Sequence, residues 1–290
     1  MPKPFLKQTV EDIPHYLALM RMERPIGWLL LLWPTLWALW VAGDGAPDAQ
    51  FVWIFTFGVI VMRSAGCVIN DYADREFDPK VERTKQRPIA AGFIQPKQAI
   101  SLFVILCCIA LFLLVLLPSR VWPWSIPAVL ITIAYPFMKR FIQTPQLVLG
   151  VAFSFGMPMV YVAYGKAFDV SLLLLFIANV CWVVLFDTVY AMSDREDDLK
   201  IGVKSTAILF GRYDRLIIGI LQIVVISLLV LLMVELTLSN TFLITTFLVL
   251  SLFIYQQWLI KDRGRQQCFQ AFINNGWVGA IIWFGLVLAL

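Results

Sequence analysis

The sequence is poor in histidine and in charge, and both shortages limit its chemistry. Among its 290 residues there is a single histidine, His15, and charged residues make up 14% of the chain. A typical soluble domain carries about 25% charged residues. A zinc site built on several histidines is therefore excluded. A Ser-His-Asp hydrolase is not expected either, because His15 lies outside the apolar segments.

The cysteines show no spacing typical of a metal site or of a disulfide framework. Four lie inside apolar stretches and the fifth begins the last stretch, as small buried hydrophobic side chains do. The chain also has no polar stretch long enough to form a separate soluble domain, so we predict one domain over residues 1–290. The five cysteines are Cys67, Cys107, Cys108, Cys181 and Cys268.

Long apolar stretches dominate what remains. Hydrophobic residues make up 60% of the chain, and its mean hydropathy is +0.81. A helix needs about 20 apolar residues to span the hydrocarbon core of a membrane. The pattern predicts an all-α integral membrane protein with nine transmembrane helices. The predicted spans are residues 26–42, 51–70, 98–117, 121–138, 145–164, 170–190, 216–234, 240–260 and 271–290.

Lysine and arginine concentrate in alternate connections between these spans. The connections 71–97 and 191–215 are rich in both, whereas the opposite side carries only Arg120 and Lys166. By the positive-inside rule the rich side is cytoplasmic. We therefore predict a cytoplasmic N-terminus, an interfacial lead-in over residues 1–25, and cytoplasmic motif loops at 71–97 and 191–215. The net charge of +4 follows from this bias and does not indicate nucleic-acid binding.

Two acidic clusters lie about 120 residues apart, and each places two aspartates four residues apart. The pairs are Asp74 with Asp78 and Asp194 with Asp198. On a helix this spacing puts both carboxylates on one face, where they repel each other unless a cation lies between them. Magnesium prefers oxygen ligands and is usually bound through one or two carboxylates and the phosphates of a substrate. The pattern therefore predicts Mg²⁺ held together with a diphosphate.

The two clusters are copies of one pattern, each placed where an apolar span ends and a basic connection begins. The repeat predicts two pseudo-symmetric halves that each contribute one motif. The alternative is that each cluster is a solvated loop face, and its appearance twice in so apolar a chain weighs against that reading. The aligned positions are Asn70 with Tyr190, Asp74 with Asp194, and Asp78 with Asp198.

Two ionisable residues lie inside the predicted spans. Arg63 is seven residues before Asn70, and Asp187 is seven residues before Asp194. A charge at the centre of a span costs about 2.5–3.5 kcal/mol on insertion scales, so such residues usually mark function. The alternative is that the two pair with each other and serve packing alone.

Diphosphate is a poor leaving group in an apolar site unless its charge is neutralised, and the basic connections supply cations for this. Arg87 and Lys139 are the strongest candidates. Tyr135 lies four residues before Lys139, on the same helix face. The alternative for this pair is an interfacial tyrosine and a lysine that only sets topology. Further candidate cations are Arg83, Lys85 and Lys204.

Both acidic motifs resemble the signature motifs of the UbiA superfamily of intramembrane prenyltransferases, and the resemblance covers the whole chain. Within the superfamily, residues 70–75, 83–88 and 202–207 look most like bacterial 4-hydroxybenzoate polyprenyltransferases. The resemblance implies nine helices in a ring around a central cavity, a place in the bacterial inner membrane with the active site facing the cytoplasm, and a role in ubiquinone biosynthesis. The motifs read Asn70-x-x-x-Asp74-x-x-x-Asp78 and Tyr190-x-x-x-Asp194-x-x-x-Asp198.

The same resemblance implies an Mg²⁺-dependent transfer of a polyprenyl group from polyprenyl diphosphate to 4-hydroxybenzoate within membrane lipid. Arg63 would bind the aromatic carboxylate, and Asp187 would polarise the phenol or take the ring proton. The implied metal ligands are Asn70, Asp74, Asp78, Asp194 and Asp198, of which the aspartates are also catalytic together with Asp187. The implied substrate-binding residues are Arg63, Asn70, Asp71, Arg87, Tyr135, Lys139, Tyr190 and Lys204.

Three other functions remain open at this point. The same chemistry on another acceptor, such as a naphthoate, homogentisate, chlorophyll or haem, differs only in the residues that contact the acceptor. A secondary transporter is also built from repeats, but its charges lie at the membrane midplane rather than at one face. An intramembrane protease with an aspartate dyad would need neither the four-residue repeats nor the surrounding cations.

Overall fold

A helix forms at every one of the nine apolar stretches. The computed structural model describes residues 13–80 and 84–290, without the side chains of Lys80, Pro136, Phe137, Lys139, Arg140 and Ile201. All regular structure within the described residues is helical. The helices are α1 (Ile26–Ala42), α2 (Ala49–Ala73), α3 (Pro96–Val115), α4 (Trp122–Phe141), α5 (Pro145–Ser154), α6 (Gly156–Tyr164), α7 (Val170–Ile201), α8 (Thr206–Phe210), α9 (Asp214–Glu235), α10 (Thr241–Leu259) and α11 (Arg265–Ala289).

Seven helical segments of the described chain are long and apolar enough to cross a membrane. The protein is therefore a multi-pass membrane protein. The other two predicted spans form α1, which has 17 residues, and α4, which carries three prolines. A crossing by these two helices, and with it the total of nine spans, stays a prediction.

The chain divides into two compact units, which we call unit 1 (residues 1–28 and 57–116) and unit 2 (residues 29–56 and 117–290). Unit 1 has a small apolar core in which side chains of α2 and α3 pack with those of the segments before α1 and α3. Residues 13–19 of the predicted lead-in are helical, and Leu19 from this turn is completely buried. The core residues are Leu19, Ala65, Val68, Ile89, Ile94, Ala99 and Leu106.

Unit 2 is organised around α7, which packs against α5, α9 and α11. Helices approach closely where a glycine removes the side chain. A Cβ on Gly279 would lie 2.3 Å from Trp33 Cδ1, and Trp37 Nε1 donates to the Gly279 carbonyl at 3.0 Å. Buried polar side chains add hydrogen bonds between helices, as in other membrane proteins. One such bond runs from Trp182 Nε1 to Asn275 Oδ1, at 2.9 Å.

The motif-bearing connections differ from each other in local structure. Helix α2 ends at Ala73, inside the first motif, whereas α7 continues through the second motif to Ile201. Within the connection 191–215, residues 191–201 are therefore helical, and so are Thr206–Phe210. Charged residues do not end a helix by themselves, and Asp197 pairs with Lys200 at 3.5 Å within it. The helix ends where Gly202 adopts φ +72°, a left-handed cap that favours glycine.

Candidate active site

The first motif keeps a helical turn although its helix has ended. The Asp78 backbone N–H donates to the Asp74 carbonyl at 2.9 Å, and the Asp74 N–H donates to the Asn70 carbonyl at 2.9 Å. The four-residue spacing of Asn70, Asp74 and Asp78 thus still corresponds to one turn per step. Asp74 and Asp78 are both buried, while Asn70 is half-buried at the end of α2.

An arginine bridges two aspartates of this motif. Arg87 Nη1 lies 3.0 Å from Asp71 Oδ1 and 2.9 Å from Asp78 Oδ2. Asp71 is only 1% exposed, and Arg21 Nη2 approaches both of its oxygens, at 2.9 and 3.0 Å. The structure therefore brings together three predicted residues, Asp71, Asp78 and Arg87. Arg21 could not be identified from the sequence, because it lies in no recognisable motif and its partner Asp71 follows 50 residues later.

Burial and charge act against each other in this cluster. Burial raises the pKa of Asp78, and the neighbouring Arg87 offsets only part of that rise. For Arg87, burial lowers the pKa, but the charges of Asp71 and Asp78 outweigh it and hold its pKa above the usual value. Arg87 thus remains a cation beside the motif, and Asp78 takes up a proton more readily than an exposed aspartate.

Arg63 is held at the side of α2 within unit 1. Its Nη1 lies 2.7 Å from Cys67 Sγ, and its Nε donates to the Gly27 carbonyl at 3.3 Å. A Cβ on Gly27 would lie 3.0 Å from Arg63 Nη2, so the glycine leaves space for the guanidinium. When the two motifs are aligned, Arg63 corresponds to Val183 and Asp187 corresponds to Cys67. Arg63 and Asp187 therefore do not occupy equivalent positions in the repeat.

The second motif lies on one face of α7. Tyr190, Asp194 and Asp198 follow at intervals of four residues on a continuous helix. Asp194 is buried and Asp198 is half-buried. The Tyr190 ring contacts Phe272 of α11, with ring centroids 4.8 Å apart. Asp187 lies about two turns before Asp194 on the same helix and is half-buried.

A buried aspartate outside the motif binds the arginine inside it. Asp214, at the start of α9, is completely buried and accepts a hydrogen bond from Arg195 Nη2. Arg263 Nη2 donates to the same carboxylate at 2.8 Å, and Arg195 Nη2 also donates to the Ala207 carbonyl at 2.8 Å. Sequence reasoning missed Asp214. Its only signal was an acidic residue at the first position of an apolar helix.

The remaining predicted residues lie around the end of α4. Lys204 Nζ donates to the carbonyl of Phe141, the last residue of α4, at 3.0 Å. A cation is favoured there by the helix dipole. Lys204 also borders a pocket of about 300 Å³ with Gln143 and Leu209. Tyr135 is half-buried on α4, and the side chain of Lys139 lies outside the described residues.

The donor chemistry of each motif fits magnesium. Within either unit, the described His, Cys, Asp and Glu side chains form no group of three or more that would cage a metal. Each motif provides two carboxylates one helical turn apart. Mg²⁺ is commonly bound by one or two carboxylates plus substrate phosphates. A cation at the first motif has to share Asp78 with Arg87.

Comparison with known proteins places the chain in a family. The sequence pattern of the UbiA prenyltransferase family matches residues 31–284. The chain belongs to the UbiA prenyltransferase family. This confirms the resemblance inferred from the two acidic motifs, and the matched region contains both motifs and the arginine that bridges the first.

Curated relatives of this UbiA family member match nearly its full length. The 4-hydroxybenzoate octaprenyltransferase of Pseudoalteromonas translucida is 49% identical over 281 residues, which cover 97% of this chain and 96% of that protein. The 4-hydroxybenzoate octaprenyltransferase of Tolumonas auensis is 52% identical over 274 residues, which cover 94% of this chain and 96% of that protein.

Solved structures of the family share the fold. A UbiA homolog from Aeropyrum pernix K1 superposes with a TM-score of 0.78 at 22% identity, covering 90% of this chain and 97% of that chain. A UbiA homolog from Archaeoglobus fulgidus bound to GPP and Mg²⁺ superposes with a TM-score of 0.71 at 17% identity, covering 95% of this chain and all 100% of the other. At these identities the similarity shows the fold alone.

Proposed function

We propose that this UbiA-family prenyltransferase transfers a polyprenyl group from polyprenyl diphosphate to 4-hydroxybenzoate, as a step in ubiquinone biosynthesis. The observation that carries the proposal is a pair of matched acidic motifs in a chain whose relatives at 49% and 52% identity are 4-hydroxybenzoate octaprenyltransferases. The names of those relatives favour an octaprenyl donor. The bond from the allylic carbon to diphosphate breaks, a bond to the ring carbon ortho to the hydroxyl forms, and that carbon loses its proton.

Mg²⁺ is the cofactor that the motifs fit. Its ligands would be Asn70, Asp74 and Asp78 from the first motif and Asp194 and Asp198 from the second. When bound, it would neutralise the charge that develops on the departing diphosphate. The Archaeoglobus fulgidus homolog, which was solved with GPP and Mg²⁺, supports the choice of magnesium as the cofactor.

Cationic side chains of the protein would bind the diphosphate together with magnesium. Arg87 is already positioned beside the motif and stays charged, so it can donate to phosphate oxygens as it does to Asp78. Lys139 and Lys204 are proposed for the same role, with Asp71 supporting Arg87. Lys204 now donates to a backbone carbonyl, and an ammonium group has three donors.

The acceptor would be held by residues deeper in the spans. Arg63 has a planar guanidinium suited to a bidentate contact with the carboxylate of the aromatic acid. Tyr135 and Tyr190 would help to place the ring, and Asp187 would polarise the phenol or accept the ring proton. The apolar surroundings keep water away from the allylic cation.

We place the protein in the bacterial inner membrane with nine spans, a cytoplasmic N-terminus and both motifs on the cytoplasmic side. The distribution of lysine and arginine supports this orientation. The nine-helix ring around a central cavity and the two pseudo-symmetric halves are part of the same proposal, as implied by the family resemblance.

A turnover assay with purified protein in detergent tests the function. We expect octaprenyl diphosphate and 4-hydroxybenzoate to give a prenylated acid and diphosphate in equal amounts when Mg²⁺ is present, and neither product after chelation. Replacing 4-hydroxybenzoate by a dihydroxynaphthoate or homogentisate should give at most a small fraction of this rate. Preferred turnover of another acceptor would overturn the assignment of the substrate.

A second measurement tests the role of Arg63. Arg63→Ala should raise KM for 4-hydroxybenzoate while leaving KM for octaprenyl diphosphate close to the wild-type value. Normal affinity for the aromatic acid combined with lost affinity for the diphosphate would show that Arg63 serves the donor instead.

A further inference from the structure

Arg195 occupies a sensitive position in the second motif. It lies on α7 between the two aspartates proposed to bind the metal, one residue after Asp194 and three before Asp198. Arginine and aspartate three residues apart on a helix are neighbours on its surface and form ion pairs. A guanidinium paired with Asp198 would compete with a cation for the same oxygens.

The structure directs Arg195 to a different partner. Its Nη2 bonds to Asp214, a completely buried carboxylate at the start of α9. The same nitrogen donates to the Ala207 carbonyl at 2.8 Å. All of these residues belong to unit 2, where α7 and α9 pack together. Asp214 thus fixes the direction of the Arg195 side chain.

Arg263 holds the buried carboxylate of Asp214 in place. Its Nε lies 3.0 Å from both Asp214 oxygens, and its Nη2 also donates to the Arg212 carbonyl at 3.0 Å. A buried carboxylate needs such partners because its desolvation is costly. Arg263 therefore anchors the carboxylate, while the contact with Arg195 affects the motif.

We propose that Asp214 is a positioning residue that holds Arg195 away from Asp198, so that this guanidinium does not compete with a divalent cation for the second motif. The inference rests on the proposed function, since it assigns the second motif to metal binding. It makes Asp214 act through Arg195, without contact between Asp214 and substrate or metal.

The test measures metal affinity directly. Mn²⁺ is titrated into purified full-length protein with saturating inorganic diphosphate, and free Mn²⁺ is followed by electron paramagnetic resonance. Asp214→Asn keeps the shape of the side chain but removes the charge that holds Arg195. We expect it to weaken Mn²⁺ binding about two- to fivefold, the range of a partly exposed ion pair. In the assay of turnover, the half-saturating Mg²⁺ concentration should rise by the same factor.

Rescue distinguishes positioning from a general structural role. The double variant Asp214→Asn with Arg195→Gln lacks the competing guanidinium, so its Mn²⁺ affinity should return to within about twofold of wild type. Arg263→Gln is the matched control, because it removes contacts to the same carboxylate but leaves the Arg195 contact. Its Mn²⁺ affinity should equal that of wild type even though its thermal stability falls.

Three results would overturn the proposal. The first is unchanged Mn²⁺ affinity in Asp214→Asn, and the second is equal weakening in the single and double variants. The third needs no Asp214 variant to fold: Arg195→Gln alone should bind Mn²⁺ as tightly as wild type, so weaker binding would show that Arg195 supports the metal. Failure of wild-type protein to bind Mn²⁺ with diphosphate would instead refute the proposed function.

Discussion

The two acidic motifs use arginine in opposite ways. In unit 1, an arginine from outside the motif, Arg87, is bound by two aspartates of the motif region, Asp71 and Asp78. In unit 2, the arginine of the motif itself, Arg195, is bound by an aspartate from outside it, Asp214. Two motifs with the same four-residue spacing of aspartates thus differ: one has carboxylates that are partly neutralised by an arginine, and the other has an arginine that is bound by an aspartate outside the motif.

The position equivalent to Arg195 shows how far the copies have diverged. Arg75 aligns with Arg195, but its guanidinium lies over the Tyr72 ring at 4.6 Å and pairs with Glu76 at 3.3 Å. The side chains of Arg75 and Glu76 are 36% and 76% exposed, so this is a surface pair. We infer that the arginine after the motif aspartate is a structural element in the second copy only.

The largest effect on this comparison is expected from Arg87→Gln. The variant removes the arginine partner of Asp78 and one of the two arginine partners of Asp71. Loss of one member of a buried ion cluster lowers the free energy of unfolding by about 3–5 kcal/mol. Turnover should fall at least about 100-fold, because the variant also removes a cation proposed to stabilise diphosphate. Thermal unfolding and initial rates in detergent measure the two effects.

Lys97→Gln serves as the control for Arg87, because it removes an exposed cation of the same connection that is not a candidate for binding diphosphate. Its free energy of unfolding should stay within about 0.5 kcal/mol of the wild-type value, as for most surface substitutions. Its rate of turnover should stay within about twofold of wild type. A wild-type rate in Arg87→Gln would show that the bridge between Asp71 and Asp78 has no part in turnover.

The second prediction compares the aligned arginines. Arg195→Gln should lower the free energy of unfolding by about 1–3 kcal/mol, because it removes a charged hydrogen bond to a fully buried carboxylate that Arg263 still holds. Arg75→Gln should cost less than about 1 kcal/mol, since it breaks an exposed pair. Equal losses in the two variants, measured by thermal unfolding, would contradict the divergence of the copies.

The smallest effect is expected from Gly27→Ala. The added Cβ would lie 3.0 Å from Arg63 Nη2, so the guanidinium has to move by a few tenths of an ångström. We expect KM for 4-hydroxybenzoate to rise about threefold with kcat unchanged. Gly66→Ala on α2 is the matched control because nothing lies within 4 Å of its added Cβ. A rise in KM for octaprenyl diphosphate instead would move Arg63 to the donor.

Much of the fold could be predicted because the length of each apolar stretch can be read directly from the sequence. The stretch 26–42 coincides with α1 (Ile26–Ala42), and the other stretches differ from their helices mainly at the charged ends. Those ends extend beyond the apolar run because charged residues can continue the hydrogen-bonded turns of a helix. Helix α7 therefore reaches Ile201, eleven residues past the predicted span.

The candidate site could be predicted only in its motifs. Spacing identifies Asp74, Asp78, Asp194 and Asp198, because carboxylates at helical intervals share a face. The partners Arg21 and Asp214 could not be found in this way, since their contacts join residues 50 and 19 positions apart. Such long-range ion pairs follow from how helices pack, which a single sequence does not encode as a local pattern.

The measurement that tests the central claim most directly is Mg²⁺-dependent turnover of octaprenyl diphosphate and 4-hydroxybenzoate by Asp74→Asn and Asp194→Asn. The matched controls are Glu76→Gln and Glu196→Gln, which remove exposed carboxylates at aligned positions two residues later. We predict that both aspartate variants fold but lose at least about 100-fold in rate, while both glutamate variants keep nearly the full rate. A wild-type rate in either aspartate variant would contradict the claim that both motifs serve the magnesium and the diphosphate.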